Sequence, residues 1–286
     1  MAKDSPDFGK TAEDYRKYRH GFPEDFFLRL RHAGIGIQGE KVLDLGTGTG
    51  TIARGFAKAG CAVIAIDPAE KLMEQAKNID LECGVSGITY LVGTAEDTKQ
   101  ADHSFDVVVA GQCWHWFDAF KAIQEIKRIL KPNGKLVIGH YDWIPAEGSI
   151  PELSEALILK HNPAWKMGGG NGFYPQWVKQ LLEAGFQHIE TYSFEVTEVY
   201  SHEAWRGRIR ASAGVSASLP SDAVASFDAE HKSALEQQFP NEVLRVPHRC
   251  FTLVASAPSF FKPDYSVSKH QQSLEEVKQP PPRAKL

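Results

Sequence analysis

The segment KVLDLGTGTGTIARGFAKAG, residues 41–60, restricts the fold more than any other part of the chain. An apolar run of strand character leads into Gly46, Gly48 and Gly50, which alternate with threonine and give way to an alanine-rich amphipathic stretch. Glycine permits positive φ and has no Cβ, so a ligand can lie directly against the backbone where a helix begins. A strand, a glycine turn and a helix in that order read as a cofactor-binding turn. The spacing is G-x-G-x-G, whereas the dinucleotide fingerprint is G-x-G-x-x-G. Asp44 stands two positions before Gly46, where a carboxylate repels a diphosphate but suits an ammonium.

The surrounding sequence extends this unit into a sheet. VLDL (42–45), AVIAID (62–67), ITYLV (88–92), FDVVVA (105–110) and KLVIGH (135–140) are short, rich in Val and Ile, and apolar on both sides of the pleat. Such strands are buried on both faces, as in a parallel sheet. Helices are expected between them at 50–59, 69–79 and 117–130, the last with apolar residues at Phe120, Ile123, Ile126, Ile129 and Leu130 before a Pro-Asn-Gly stop. Strand and helix alternating in this way predict an α/β fold with a doubly wound, seven-stranded, mostly parallel Rossmann-like sheet. A chain of 286 residues, 42% hydrophobic and 24% charged, is long enough to bury a full core around it.

After residue 170 the alternation breaks down. A helix at 175–185 leads into FQHIETYSFEV, and HRCFTLVASA (248–257) follows only much later. Two late strands joined by a long excursion are expected to pair antiparallel at the sheet edge. The expected organisation is an N-terminal helical segment over the cofactor site (1–38), a core (39–197 and 248–261) and a helical cap (198–247) inserted before the last strand. The tail, 262–286, lacks apolar periodicity and contains PPP, so it is read as mostly disordered.

Asp67 ends the second strand about twenty residues after the glycine turn, where a carboxylate can accept two hydrogen bonds from a ribose diol. Capping the next helix is a compatible role. After the third strand, VGTAEDTKQADHSFD crosses the carboxyl edge of the sheet. The backbone at Ala95 and the side chains of Thr94 or Glu96 could read an adenine edge. Together these features describe a nucleoside site with no evident phosphate clamp.

VLDLGTGTGTIA, the acidic IDP, VGTAED, SFDVVVAGQCWHWFD and LKPNGKLVI follow in this order. The set resembles class I S-adenosylmethionine-dependent methyltransferases. It is most similar to the small-molecule branch often labelled methyltransferase type 11, which includes trans-aconitate methyltransferase-like enzymes. The resemblance covers roughly residues 8–140 motif by motif, and the late strand pair by topology only. It implies S-adenosyl-L-methionine as cofactor, its amino-acid part passing over Gly46, Thr47, Gly48 and Gly50 while Asp44 helps to hold the ammonium. Asp67 would take the ribose hydroxyls, and Thr94, Ala95 and Glu96 the adenine, although many relatives carry Asp at the position of Thr94. Ala110 and Gln112, at the end of the fourth strand, complete the implied cofactor set. FGKTAEDYRKYRHGFP resembles the family's opening segment, F-x-x-x-A-x-x-Y-x-x-x-R, which folds over the cofactor. That places Tyr15, and Tyr18 or Arg19, near the methionine carboxylate and the sulfonium; Arg against a carboxylate is a charge-assisted pairing. Relatives often have Pro where His20 stands.

Methyl transfer from a sulfonium is an in-line displacement, so the protein's main tasks are to align the reactants and exclude water. A base is needed only if the acceptor carries a proton. Gln112 and His115 match the family's Q-x-x-H-W-F pattern. Trp114 and Trp116 could wall the acceptor pocket or pack on the adenosine, since aromatic faces tolerate a cation. His115 is the first candidate base, with orienting its loop as the other role; His140 is the second, with a structural role as its alternative. In EAWRGRIRASAGVSASL, Trp205 and Arg206 are candidate substrate contacts together with Tyr18. Arginines at 206, 208 and 210 cannot all share one helix face, so at most one or two point into a pocket, where one would suit an acidic substrate. The glycine-rich stretch 165–175 is either a mobile loop over the site or a connector.

The expected function is methyl transfer to a small organic molecule through a carboxylate or a hydroxyl. A methyltransferase-like regulator without catalysis is the alternative, and an NAD-dependent dehydrogenase comes third. Nucleic-acid amine methylation predicts an NPPY- or DPPY-type tetrapeptide where this chain has GQCW, and a net charge of −4 gives no global reason to expect nucleic acid as partner. The four cysteines show no metal-ligand or disulfide spacing, and no apolar run approaches the roughly 18 residues of a membrane span. The chain is therefore expected to be cytoplasmic, a monomer or homodimer, with no metal and no membrane.

Overall fold

The computed structural model describes residues 17–18 and 20–258. Tyr15, Arg19 and the tail from 262 lie outside the described residues. In chain order the elements are α1 (Glu24–His32), β1 (Lys41–Leu45), α2 (Thr51–Lys58), β2 (Ala62–Asp67), α3 (Glu70–Glu82), β3 (Ile88–Val92), β4 (Phe105–Gly111), α4 (Ala119–Ile129), β5 (Leu130–Trp143), α5 (Ile150–His161), α6 (Pro175–Glu183), β6 (Gln187–Ser201), α7 (His202–Arg210), α8 (Ser221–Gln238) and β7 (Val243–Ser256). A 3₁₀ turn, Trp114–Trp116, follows β4.

The strands form one seven-stranded sheet in the order β3-β2-β1-β4-β5-β7-β6. β1 to β5 are parallel, and β7 pairs antiparallel with both β5 and β6. The order reverses between β1 and β4, so the carboxyl ends of those strands flank the crevice where such folds bind ligands. The late strands do pair antiparallel, with β7 one position in from the edge and β6 outermost.

The alternating sides of the strands explain the two core layers. Leu43, Leu45, Val108, Ala110, Leu136 and Ile138 face α4 and α6, through Ile123, Ile126, Trp177 and Leu181. Val42, Val107, Val109 and Val137 face α1 and α2, through Phe26, Phe27, Ile52 and Phe56. The buried stripe of α4 is Ala122, Ile123, Ile126 and Ile129, and its N-cap Asp118 accepts a bond from Lys121 N at 3.3 Å.

A third core joins α5, α7 and α8 to the outer halves of β6 and β7, centred on Trp205, Ile209, Phe227, Leu235 and Leu244. Sequence periodicity gave no helix at 150–161. α5 is apolar on more than one side because it lies between the sheet and α8, so no single stripe marks it; its start is set by Ser149, which accepts from Glu152 N, and by Pro151 in the first turn. The late strands are also longer than expected. β6 reaches Ser201 and β7 begins at Val243, so the excursion between them is 202–242. Among the described residues no helix is long and apolar enough to cross a membrane.

Candidate functional site

The glycine turn after β1 is held from below by two carboxylates. Gly46, Gly48 and Gly50 all have positive φ, at 64°, 55° and 75°. A Cβ on Gly46 would meet Cys113 Cβ and Sγ at 2.8 Å, and one on Gly50 would meet Tyr90 Oη at 2.5 Å. Asp67 Oδ2 accepts from Gly48 N at 2.8 Å while Oδ1 accepts from Ala69 N at 2.7 Å, so this side chain ties β2 to the turn and also starts α3. Burial raises the Asp67 carboxyl above the usual range against these two bonds.

Asp44 is 1% exposed. Its Oδ2 accepts from Thr47 Oγ1 at 2.6 Å and from Ala53 N at 3.1 Å. Burial pushes its carboxyl up to about 7, with the neighbouring Asp67 charge adding to the effect. Asp44 thus lies beneath the turn and sets its shape. Behind it, Arg54 Nε bonds Asp80 at 2.7 Å, and Tyr90 Oη donates to the same carboxylate at 2.8 Å. This buried cluster fixes the wall under Gly50.

A cavity of about 30 Å³ opens from the turn toward the far side of the sheet. Gly46, Thr47 and Thr51 form its near wall, with Gly111 and Gln112 from the end of β4. The far wall is Tyr141 on β5, Tyr200 on β6, Arg208 on α7 and His248 on β7. Burial pushes the His248 ring down to about 4, so it lines the cavity as a neutral imidazole at neutral pH. His20 stacks on Tyr200 at 4.5 Å between ring centroids, and its Nδ1 lies 2.8 Å from Glu198 Oε2. Tyr141 Oη donates to the other Glu198 oxygen. The His20 bond outweighs burial and, with Tyr141, holds the Glu198 carboxyl down at about 2.

Gln112 bridges this cavity to a second polar cluster. Its backbone is left-handed, with φ 60°, a strained position for a residue other than glycine. Its Nε2 donates to Tyr141 O at 2.6 Å and to Asp142 Oδ1 at 3.3 Å, while Oε1 is buried with no hydrogen-bond partner. Asp142 also accepts from Tyr174 Oη. His140 is 3% exposed and packs its ring on Tyr174 and Trp177, at 4.5 and 4.8 Å. His115, exposed on the 3₁₀ turn, stands edge-on to His140 at 5.2 Å.

Several other expected site residues are elsewhere. Trp114 is 1% exposed and donates to Gln180 Oε1 at 3.2 Å, so it belongs to the core beneath the 3₁₀ turn and does not wall a pocket. Trp116 is exposed beside His115. Trp205 is fully buried in the cap core, its Nε1 donating to Ser154 Oγ at 2.9 Å. Arg206 is held by Asp228 of α8 and Glu203 in the seam between α7 and α8, and the arginine that reaches the cavity is Arg208, two residues on. Tyr18 lies against Gly207 and reaches Glu203 at 3.5 Å, both on α7. Glu96 Oε1 accepts from Asp118 N at 2.9 Å and braces the segment before α4. Thr94 is exposed, Ala95 is buried, and Ala110 is fully buried at the end of β4.

Sequence reasoning missed Tyr141, Asp142, Tyr174, Glu198, Tyr200 and His248. Alternation along a strand could have flagged Asp142, two residues past His140 on the same face. Tyr141, Glu198, Tyr200 and His248 converge only through the pairing of β5, β7 and β6, and Tyr174 is brought to Asp142 from the segment ahead of α6.

Comparison with known proteins agrees with this geometry. Residues 43–138 match a family described as a methyltransferase domain. An uncharacterized methyltransferase of Mycobacterium tuberculosis is 33% identical over 156 residues, 54% of this chain and 60% of the relative. The chain therefore spans about three fifths of that relative's length. The ubiquinone biosynthesis O-methyltransferase of Xanthomonas oryzae pv. oryzae is 29% identical over 182 residues, 63% of this chain and 74% of the relative. A solved structure from Anaeromyxobacter dehalogenans, described as a type II methyltransferase, superposes with a TM-score of 0.63 at 24% identity over 85% of this chain and 99% of that one; it shares the fold. The glycine turn braced by Asp44 and Asp67, the strand order and these matches support a class I S-adenosylmethionine-dependent methyltransferase domain over residues 43–138.

Proposed function

We propose that the chain transfers a methyl group from S-adenosylmethionine to a small organic acceptor, through a carboxylate or a hydroxyl, in the cytoplasm. The observation that carries this reading is the cavity, in which the glycine turn meets Tyr200 from β6 and Arg208 from the inserted region. The residues present fit the cofactor. Positive φ at Gly46, Gly48 and Gly50 keeps side chains out of the space above the turn, and Asp67 keeps further lone pairs for a ribose diol beyond its two backbone bonds. S-adenosylmethionine supplies an electrophilic methyl on a sulfonium. The chain's own part is to align the acceptor with that methyl and keep water away. Tyr141, Tyr200 and the neutral His248 give the far wall its aromatic faces, and the Arg208 cation suits an acidic group on the acceptor.

The test is calorimetric binding of S-adenosylmethionine and S-adenosylhomocysteine to the full chain, with NADH as control. Micromolar binding of both and none of NADH is expected. Asp67→Ala should weaken both by on the order of tenfold to a hundredfold, since charged hydrogen bonds are lost; unchanged affinity would remove Asp67 from the cofactor site. If neither compound binds the wild type, the reading fails for this chain and a scaffold without catalysis takes its place.

A further inference from the structure

Asp142 does not line the cavity, yet three groups converge on it. Tyr174 Oη and Gln112 Nε2 donate to its carboxylate, and His140 Nδ1 lies 3.4 Å from Oδ2. His140 is almost wholly buried, and neither ring nitrogen has a formed hydrogen bond. A buried polar atom left without a bond is costly, so one is kept where a ligand or a reaction uses it. Hydrogen bonds of reacting groups are often long before the substrate is bound. Gln112 lines the cavity and bonds Asp142, so the cluster is one side chain from the proposed site. Burial raises the Asp142 carboxyl, but the His140 ring and the Tyr174 and Gln112 donors outweigh it and hold it well below the usual carboxylate range.

We propose that Asp142 is a positioning residue that directs the Nδ1–H of His140 toward its own carboxylate, so that Nε2 is the base for an acceptor hydroxyl. The inference rests on the methyl-transfer reading and narrows it to acceptors whose reacting oxygen carries a proton, because a carboxylate needs no base. As the acceptor oxygen bonds to the methyl carbon, the carbon–sulfur bond breaks with its electron pair left on sulfur. The O–H proton passes to Nε2, and the imidazolium so formed is balanced by Asp142. The titratable groups facing His140 are His115 from the 3₁₀ turn, Asp142 from its own strand and Tyr174 ahead of α6; Trp177 on α6 carries no charge. Glu155 and Cys250 face Asp142 from further out.

The deciding measurement needs no acceptor. Nitrogen-15 spectra of the imidazoles in the ligand-free full chain, with His140 assigned by its loss in His140→Gln, report which nitrogen carries the proton. The expected result at pH 8 is a protonated Nδ1 and a bare Nε2, with that preference lost in Asp142→Asn. A protonated Nε2 in the wild type, or a spectrum that Asp142→Asn leaves unchanged, overturns the proposal. Tyr174→Phe gives the same test if Asp142→Asn does not fold: freeing a lone pair on Asp142 should move the Nδ1 proton signal further downfield, and an unmoved signal counts against it.

Calorimetry with S-adenosylhomocysteine on the same proteins separates this from the underlying reading. His140→Gln and Asp142→Asn should bind within about threefold of the wild type, since neither residue lines the cavity. Absent binding in the wild type sinks the methyl-transfer reading while the tautomer result stands. For any hydroxyl acceptor the wild type methylates, kcat should fall about a hundredfold in His140→Gln and in Asp142→Asn, with KM little changed. Undiminished turnover in His140→Gln removes the base.

Discussion

Gly50→Ala is expected to destabilise the protein by about 2–5 kcal/mol and to lower its melting temperature by roughly 5–15 °C. Two costs combine. Alanine at φ 75° loses about 1–2 kcal/mol in the left-handed region. The added methyl also meets Tyr90 Oη at 2.5 Å and Ala76 Cβ at 3.1 Å. Tyr90 cannot swing away cheaply, because its hydroxyl bonds Asp80, which is paired with the buried Arg54. Overpacking of this kind costs about 1–3 kcal/mol. Gly34→Ala is the control: φ is 73° there, but nothing lies within 4 Å, so only the backbone cost applies. Thermal and urea unfolding of both variants would settle the matter. A Gly50→Ala penalty no larger than that of Gly34→Ala removes the clash from the account, and Tyr90→Phe in the Gly50→Ala background should recover part of the loss if the clash is real.

The second large effect concerns Asp44, whose proton is retained in the folded chain up to about pH 7 because burial disfavours its charge. The unfolded chain releases that proton near pH 4. Between those values the folded state binds more protons than the unfolded state, so stability through this group is fully present at low pH and falls as pH rises. The slope is at most about 1.4 kcal/mol per pH unit, with a ceiling on the order of 3–4 kcal/mol over the window. Asp44→Asn keeps an oxygen to accept from Thr47 and Ala53 but has no charge to bury. It should flatten the stability curve between pH 5 and 7.5 and leave the variant more stable than the wild type at pH 8. Cofactor binding should move the other way. If the ionised carboxylate helps to hold an ammonium, S-adenosylmethionine affinity rises with pH through about 7 in the wild type, and Asp44→Asn loses about tenfold in affinity together with that rise. Asp67 is shifted in the same direction but is present in both proteins, so the difference curve isolates Asp44. Superimposable stability curves would show that Asp44 ionises freely in the fold.

The parts of the molecule that were legible in sequence are those in which local pattern and tertiary role coincide. The glycine turn, the buried parallel strands and the stripe of α4 each carry their own signature within a few residues. Asp67 was legible because strand length and turn spacing fix its place. Trp114, Trp205 and Arg206 were misplaced for a common reason. A short helix or 3₁₀ turn presents neighbouring side chains in different directions, and a shift of one or two residues exchanges a helix–helix ion pair for the cavity, as it does between Arg206 and Arg208. Asp142, Glu198 and Tyr200 acquire their partners from segments far apart in the chain, and no local spacing records that.

The position of β7 has a consequence for how the chain is made. β7 lies between β5 and β6 and hydrogen-bonds to both, yet it is the last of the seven described strands to be synthesised. Until Val243–Ser256 has emerged from the ribosome, β5 and β6 each present an unpaired edge, and β5 is largely apolar. Open edges of this kind template pairing with other chains. Premature release anywhere before β7 should therefore yield a sheet that aggregates, whereas the finished strand closes both edges in a single step.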